Sequence, residues 1–175
     1  GVKGPEYVRN FRVSLEEPKG AVISPQISET VKGWVKLSGS ADDKNGILIA
    51  IQAIKQYDCM KIAFFKEEET GCRGSSRAEM NFFENCRFVI QCDRRGNSDL
   101  ITNISCTDLC SEKFIQDITL EKWGYKEETG LMTDVETLKE KGLSVSAINI
   151  SCGYYNPHTD EEITVKRDLE KCWSL

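Results

Sequence analysis

No apolar run in this chain approaches the roughly 20 residues that span a bilayer, so a membrane-crossing helix is not expected. The start, Gly1-Val2-Lys3-Gly4-Pro5, lacks the apolar core of a signal peptide, although a chain that begins after processing would look the same. Basic residues are too few and too scattered to build a patch: 23 Lys and Arg against 28 Asp and Glu leave a net charge of −5. Phosphate binding needs a basic face, so neither nucleic acid nor an anionic membrane surface is an expected partner. There is no CxxC pair among the eight cysteines, which excludes a zinc finger. No internal repeat, low-complexity tract or Pro/Gly-rich linker divides the sequence. The expectation is one domain over residues 1–175.

What is present is ordinary for a globular protein: 39% hydrophobic and 29% charged residues over 175 positions, enough for a real core. Several cysteines stand in strand-like apolar stretches, such as Phe88-Val89-Ile90-Gln91-Cys92 and Ile148-Asn149-Ile150-Ser151-Cys152, where a thiol serves as a small buried hydrophobe. Reduced thiols in a cytoplasm fit better than a disulfide framework.

Gly20 to Ser28 and Gly33 to Leu37 read as extended. Ile47, Leu48, Ile51 and Ile54 fall at helical spacing up to Tyr57. Lys61 to Phe65 is a short apolar run and reads as a buried strand. A short helix follows near Arg77 to Phe83, then strand-like runs at Arg87 to Cys92 and Leu100 to Cys106, and a helix over Ser111 to Ile118. Thr133 and Glu136 have capping-box spacing before a helix that should stop at Gly142. Leu143 to Cys152 reads as a strand and Glu161 to Trp173 as a closing amphipathic helix. Strands alternating with helices predict an α/β fold, a three-layer α/β/α sandwich with a mixed, largely parallel sheet.

The unusual residues fall at the mouths of these elements. Glu67-Glu68-Glu69 follows Phe64-Phe65, and Asp93 follows Cys92. His158, the sole histidine, follows the strand ending near Cys152; Asp42-Asp43 opens a helix. Ligands of α/β sheets bind at the carboxyl ends of strands, so all four groups could meet at one edge. Converging carboxylates repel one another unless a cation sits among them. Oxygen donors with one imidazole suit Zn²⁺ with an open coordination position, or Mn²⁺ or Co²⁺. Taken singly, each group has a plain structural reading: a helix N-cap for Asp42 or Asp43, a solvated loop for the glutamates, a surface turn for Asp93-Arg94-Arg95, a structural role for the histidine. Only their joint placement shifts the balance.

Four ordered segments carry a resemblance. Gly39-Ser40-Ala41-Asp42-Asp43-Lys44-Asn45-Gly46 resembles the G-x-A-D-D-K-x-G segment of di-zinc metallopeptidases of the peptidase T and zinc aminopeptidase clan, which have a phosphorylase/hydrolase-like fold. Phe64 to Ser75 is similar to their F-x-x-E-E-x-G-x-x-G-S segment. Gln91 to Gly96 and Ser151 to Thr159 match the later metal segments. The resemblance implies a three-layer α/β sandwich and peptide-bond hydrolysis at a chain end. It further implies that Asp42 bridges two metals and is joined to Asp43 by a cis peptide bond, that Glu68 is the general base, and that Glu69, Asp93 and His158 are metal ligands. Asp134, in Thr133-Asp134-Val135, corresponds to a T-D or S-D pair at a helix start, where a capping and helix-dipole role outweighs substrate contact. The family also carries an upstream H-x-D segment, and residues 1–41 here contain no histidine. The expectation is a C-terminal portion of a longer protein, with an apolar face that self-association would cover; a ligand-deficient homologue is the other reading.

The implied function is a metal-dependent exopeptidase acting on a peptide or amide substrate, with a metal-activated water. Two alternatives stay open. One is an inactive binding domain that keeps the peptidase fold; the other is an amidohydrolase acting on a non-peptide amide by the same chemistry.

Overall fold

The computed structural model describes residues 43–57 and 59–175. Asp42 and the two early extended stretches lie outside them.

The first helix, α1 (Lys44–Gln56), starts where Asp43 accepts the Gly46 N–H at 2.9 Å, an N-cap that satisfies one of the orphan donors of a helix start. Its apolar face buries Ile51 and Ile54 against Ile62, with Met60 and Phe64 alongside. The run from Lys61 to Phe65 is therefore only partly buried, with Ile62 inside and Ala63, Phe64 and Phe65 half-buried, and it is not the expected buried strand: only Phe65 forms a single bridge. An apolar run signals burial, and here α1 provides it without a ladder. Of the helix expected near Arg77 to Phe83 only a 3-10 turn (Met80–Phe83) forms, and a one-turn helix, α2 (Arg73–Ser76), precedes that range.

The central sheet contains β1 (Phe88–Arg94), β2 (Asp99–Ile104), β3 (Thr107–Asp108), β4 (Lys126–Gly130) and β5 (Ser146–Ser151), in the order β1-β5-β2-β3 with β4 also on β2. The two long pairings, β1 with β5 and β2 with β4, are parallel; β2 runs antiparallel to β5 and to β3 over two residue pairs each. The mixed, largely parallel sheet read from the sequence is the observed one.

Helices cover both faces. On one side α4 (Asp134–Glu140) lays Val135 and Leu138 on Ile101, Ile104 and Ala147. On the other, α3 (Glu112–Ile118) packs Phe114, Ile115 and Ile118 over Leu100, Ile148 and Ile150. There α1 contributes Ile49, and α5 (Lys166–Ser174) contributes Cys172. Alternation along β5 explains the split: Ala147 faces one layer, Ile148 and Ile150 the other.

Two ends differ from the sequence reading. The closing helix begins at Lys166 rather than Glu161, because Ile163–Thr164 (β7) pairs with Tyr154–Tyr155 (β6) as an antiparallel ribbon. Consecutive β-branched residues at Ile163, Thr164 and Val165 favour that extended form over helix. The capping box before α4 is only half made. Glu136 accepts from the Thr133 backbone, but the Thr133 side chain makes no cap bond. Gln91 Oε1 instead accepts the Val135 N–H at 3.1 Å. α4 ends at Glu140, and Gly142 follows at φ +97°, the left-handed stop that glycine allows. All eight cysteines are free thiols.

Candidate functional site

β1 and β5 are parallel, so their carboxyl ends lie on one edge of the sheet, and α1 begins there. Asn45 fixes that start from two directions. Its Nδ2 donates to the Cys152 carbonyl at 2.9 Å, and its Oδ1 accepts from Thr164 Oγ1 at 2.9 Å. Gly46 sits so close to the end of β1 that a Cβ would collide with the Cys92 carbonyl oxygen and with the Asp43 carboxylate. Asp43 thus stands beside Cys152, whose Sγ lies 4.0 Å from Asp43 Oδ1. Burial pushes the Cys152 thiol well up, and the negative charges of Asp43 and Asp93 push it further.

Asp93 is not in the turn after β1, as its sequence position suggests, but within the strand. Its carboxylate is half-buried and accepts from two side chains: Gln91 Nε2 at 3.1 Å on Oδ2 and the Tyr154 hydroxyl at 3.5 Å on Oδ1. Asn149 bonds its backbone on both sides. Gln91, Asn149 and Tyr154 were not singled out by sequence reasoning, and Thr133 was read only as a helix cap. A signal existed: Asn149 interrupts the apolar run of β5 and is 4% exposed, and a buried amide is kept where it has bonds to make.

Glu69 and His158 come together across the chain, with the His158 Nε2 at 3.4 Å from Glu69 Oε1 and both side chains largely exposed. His158 adopts φ 63°, the left-handed conformation that is unfavourable for a residue with a Cβ, and its N–H donates to Glu162 Oε2 at 3.3 Å. Glu67, also at φ 63°, opens the turn in which the Glu68 carbonyl accepts the N–H groups of Gly71 at 3.0 Å and Cys72 at 2.8 Å. That turn presents Glu69 outward and leaves Glu68 half-buried.

Asp134 has a different place. It is the first residue of α4, 9% exposed, and accepts from Ser75 Oγ at 2.5 Å, which ties α2 to α4. Burial raises its carboxyl above the ordinary value, while hydrogen bonds from Ser75 and Cys72 pull it partly back. The folded carboxyl holds its proton more firmly than the unfolded one. Its favourable contribution is therefore full below the unfolded value and is lost as pH rises through the raised one. Asp134→Asn keeps the shape without the charge. Its melting temperature at neutral pH is expected to equal or exceed that of the wild type, and it should gain less than the wild type on acidification towards about pH 4.

No protein-family model matches the sequence, and no curated protein matches it. Solved structures do share its architecture. The TET1 peptidase of Pyrococcus horikoshii, which can assemble into a tetrahedron or a large octahedral shell, superposes with a TM-score of 0.55 at 20% identity, over 77% of this chain and 46% of that chain. The fold is peptidase-like. PhTET1-12s, a dodecamer in the asymmetric unit, gives a TM-score of 0.53 at 19% identity, over 79% of this chain and 50% of that one. The chain thus spans half or less of the length of the peptidases it resembles.

The donors fit a borderline divalent cation in kind: carboxylate oxygens of Glu69 and Asp93 and the imidazole of His158, two of them side by side. Among the described residues, no group of three or more His, Cys, Asp or Glu side chains that could hold an ion comes together. Asp42, the bridging ligand that the resemblance implies, lies outside them. No helix among the described residues is long and apolar enough to cross a membrane.

Proposed function

We infer that this chain carries the metal-bearing part of an exopeptidase of the aminopeptidase or dipeptidase kind, with Glu68 as general base. The observation that carries the reading is the approach of Glu69 to His158 at 3.4 Å, on a peptidase-like fold, from segments 89 residues apart in sequence (158 − 69). Nothing in local structure requires a carboxylate and the sole imidazole to meet there. Glu69, Asp93 and His158, with Asp42, are the residues that would hold one or two zinc ions, with Mn²⁺ or Co²⁺ as substitutes. A bound divalent cation would lower the pKa of water and polarise a scissile carbonyl.

The chain's own groups do the rest. The Glu68 carboxylate takes the proton of the attacking water and delivers it to the leaving amine. The same reading includes self-association: the solved peptidases of like fold are described as multi-subunit assemblies, and β1 here exposes Phe88 and Ile90. Free thiols throughout fit a reducing, cytoplasmic setting.

The test is hydrolysis of chromogenic aminoacyl amides by the zinc-supplemented chain. Release of the amine that stops with chelator and returns with zinc is the expected outcome. Tight zinc binding without turnover would favour the inert binding domain, and turnover confined to N-acylated amino acids would favour the amidohydrolase.

A further inference from the structure

β1 and β5 run in register as far as Gln91 and Asn149, and the pairing resumes at Arg94 and Ser151. Two residues of β1, Cys92 and Asp93, therefore oppose one residue of β5, Ile150, which makes a β-bulge at Asp93. A peptide unit displaced from a ladder in a partly buried place has a donor and an acceptor that still need partners. One side chain supplies both. The Asp93 N–H donates to Asn149 Oδ1 at 3.0 Å, and Asn149 Nδ2 donates to the Asp93 carbonyl at 2.9 Å. A carboxamide has the donor and acceptor of a peptide group, so Asn149 takes the place of the missing strand partner.

The carboxylate end is held as well. Gln91 Nε2 donates to Asp93 Oδ2 at 3.1 Å. Gln91 is itself fixed, with Nε2 at 2.7 Å from Thr133 Oγ1 and Oε1 accepting the Val135 N–H at 3.1 Å. The start of α4 thereby locks the side chain that aims Asp93. Asp93 could be held without this arrangement by ordinary strand pairing; the bulge turns it out of the ladder, and the two amides fix where it goes.

We propose that Asn149 and Gln91 are positioning residues for Asp93: Asn149 fixes the bulge that carries it, and Gln91 fixes the direction of its carboxylate. This rests on the reading of Asp93 as a metal ligand given above and adds what aims it. Groups that orient a ligand typically change metal affinity about 10- to 100-fold when removed.

The experiment measures zinc affinity of the full chain by competition with a chromophoric chelator, together with far-ultraviolet circular dichroism and melting of the metal-free protein. It uses the wild type, Asp93→Asn, Asn149→Leu and Gln91→Met. Both positioning variants are expected to bind zinc about 10- to 100-fold more weakly while folded, as Asp93→Asn does. If Asp93→Asn binds zinc like the wild type, Asp93 is not a ligand and the inference falls with that reading. If Asp93→Asn loses zinc but the two amide variants keep wild-type affinity, the inference alone is overturned, whatever happens to their melting temperatures. Should Asn149→Leu fail to fold, Gln91→Met, at a half-buried position, decides the matter.

Discussion

Glu68→Gln is expected to lower turnover about 100- to 10,000-fold, the range for removal of a general base, while zinc affinity stays within a few-fold of the wild type. The substitution keeps the side chain's size and its place in the turn, whose bonds to Gly71 and Cys72 are made by the Glu68 backbone carbonyl. Only the ability to take a proton is lost. Glu69→Gln should behave differently, because its carboxylate lies at His158 and belongs to the ligand set of the proposal: zinc affinity falls first and activity follows. Steady-state kinetics at saturating zinc, with the same chelator competition, separate the two. Equal turnover for Glu68→Gln and wild type would remove Glu68 from the mechanism. Full activity loss with loss of zinc in Glu68→Gln would instead shift the glutamate register by one.

The second large effect is on stability. Gly46→Ala is expected to destabilise the folded chain by about 1–3 kcal/mol, towards the upper end, as overpacking of a rigid contact does. Alanine is the better helix former by about 1 kcal/mol, so propensity alone predicts the opposite sign. Sterics decide it. The new methyl would meet the Cys92 carbonyl, part of the β1 backbone, and the Asp43 carboxylate that caps the helix. Neither can withdraw without loss of the cap or displacement of the strand. If α1 moves instead, Asn45 leaves the Cys152 carbonyl and Ile51 and Ile54 lose part of their burial. Urea denaturation of the two proteins measures the difference. A variant as stable as the wild type would mean that α1 is not seated against β1 as described.

The parts of the fold legible in the sequence are those where burial follows a regular period. α1, β1, β5 and α4 announce themselves through apolar spacing, and the start of α1 and the stop of α4 through Asp43 and Gly142. β4 could not be read this way. Lys126-Glu127-Glu128-Thr129-Gly130 has no apolar alternation, because the strand is mostly exposed and is held by backbone bonds to β2. Its charges suit a sheet margin, where they discourage pairing with a further strand. β7 was absorbed into the closing helix for a related reason: the charged residues Glu161, Glu162 and Lys166 around it mask a two-residue strand.

The site was legible as a list of residue types, less so as an arrangement. That Glu69 and His158 come close follows from long-range packing, which no local pattern encodes. Asp93 was placed one turn too late because the alternation of β1 ends at Cys92 in the sequence, whereas the strand continues through a bulge to Arg94. Asp134 has the character expected of a helix-start acid, and its buried bond to Ser75 shows that it also joins two elements.

The extra residue in β1 has a geometric result of its own. Up to Gln91, even-numbered side chains share the face of Ile148 and Ile150; past the bulge Arg94 aligns with Ser151, and the parity of the strand is inverted. Were the strand to pair regularly with no residue lost, Arg94 would stand opposite Cys152 and its guanidinium would turn into the layer formed by Ile148 and Ile150. The position of Asp93 along the chain therefore cannot drift by single steps. It is a two-valued coordinate, either at the irregularity with its neighbours correctly sided, or opposite Ser151 in a regular ladder with the Arg94 charge inside the protein.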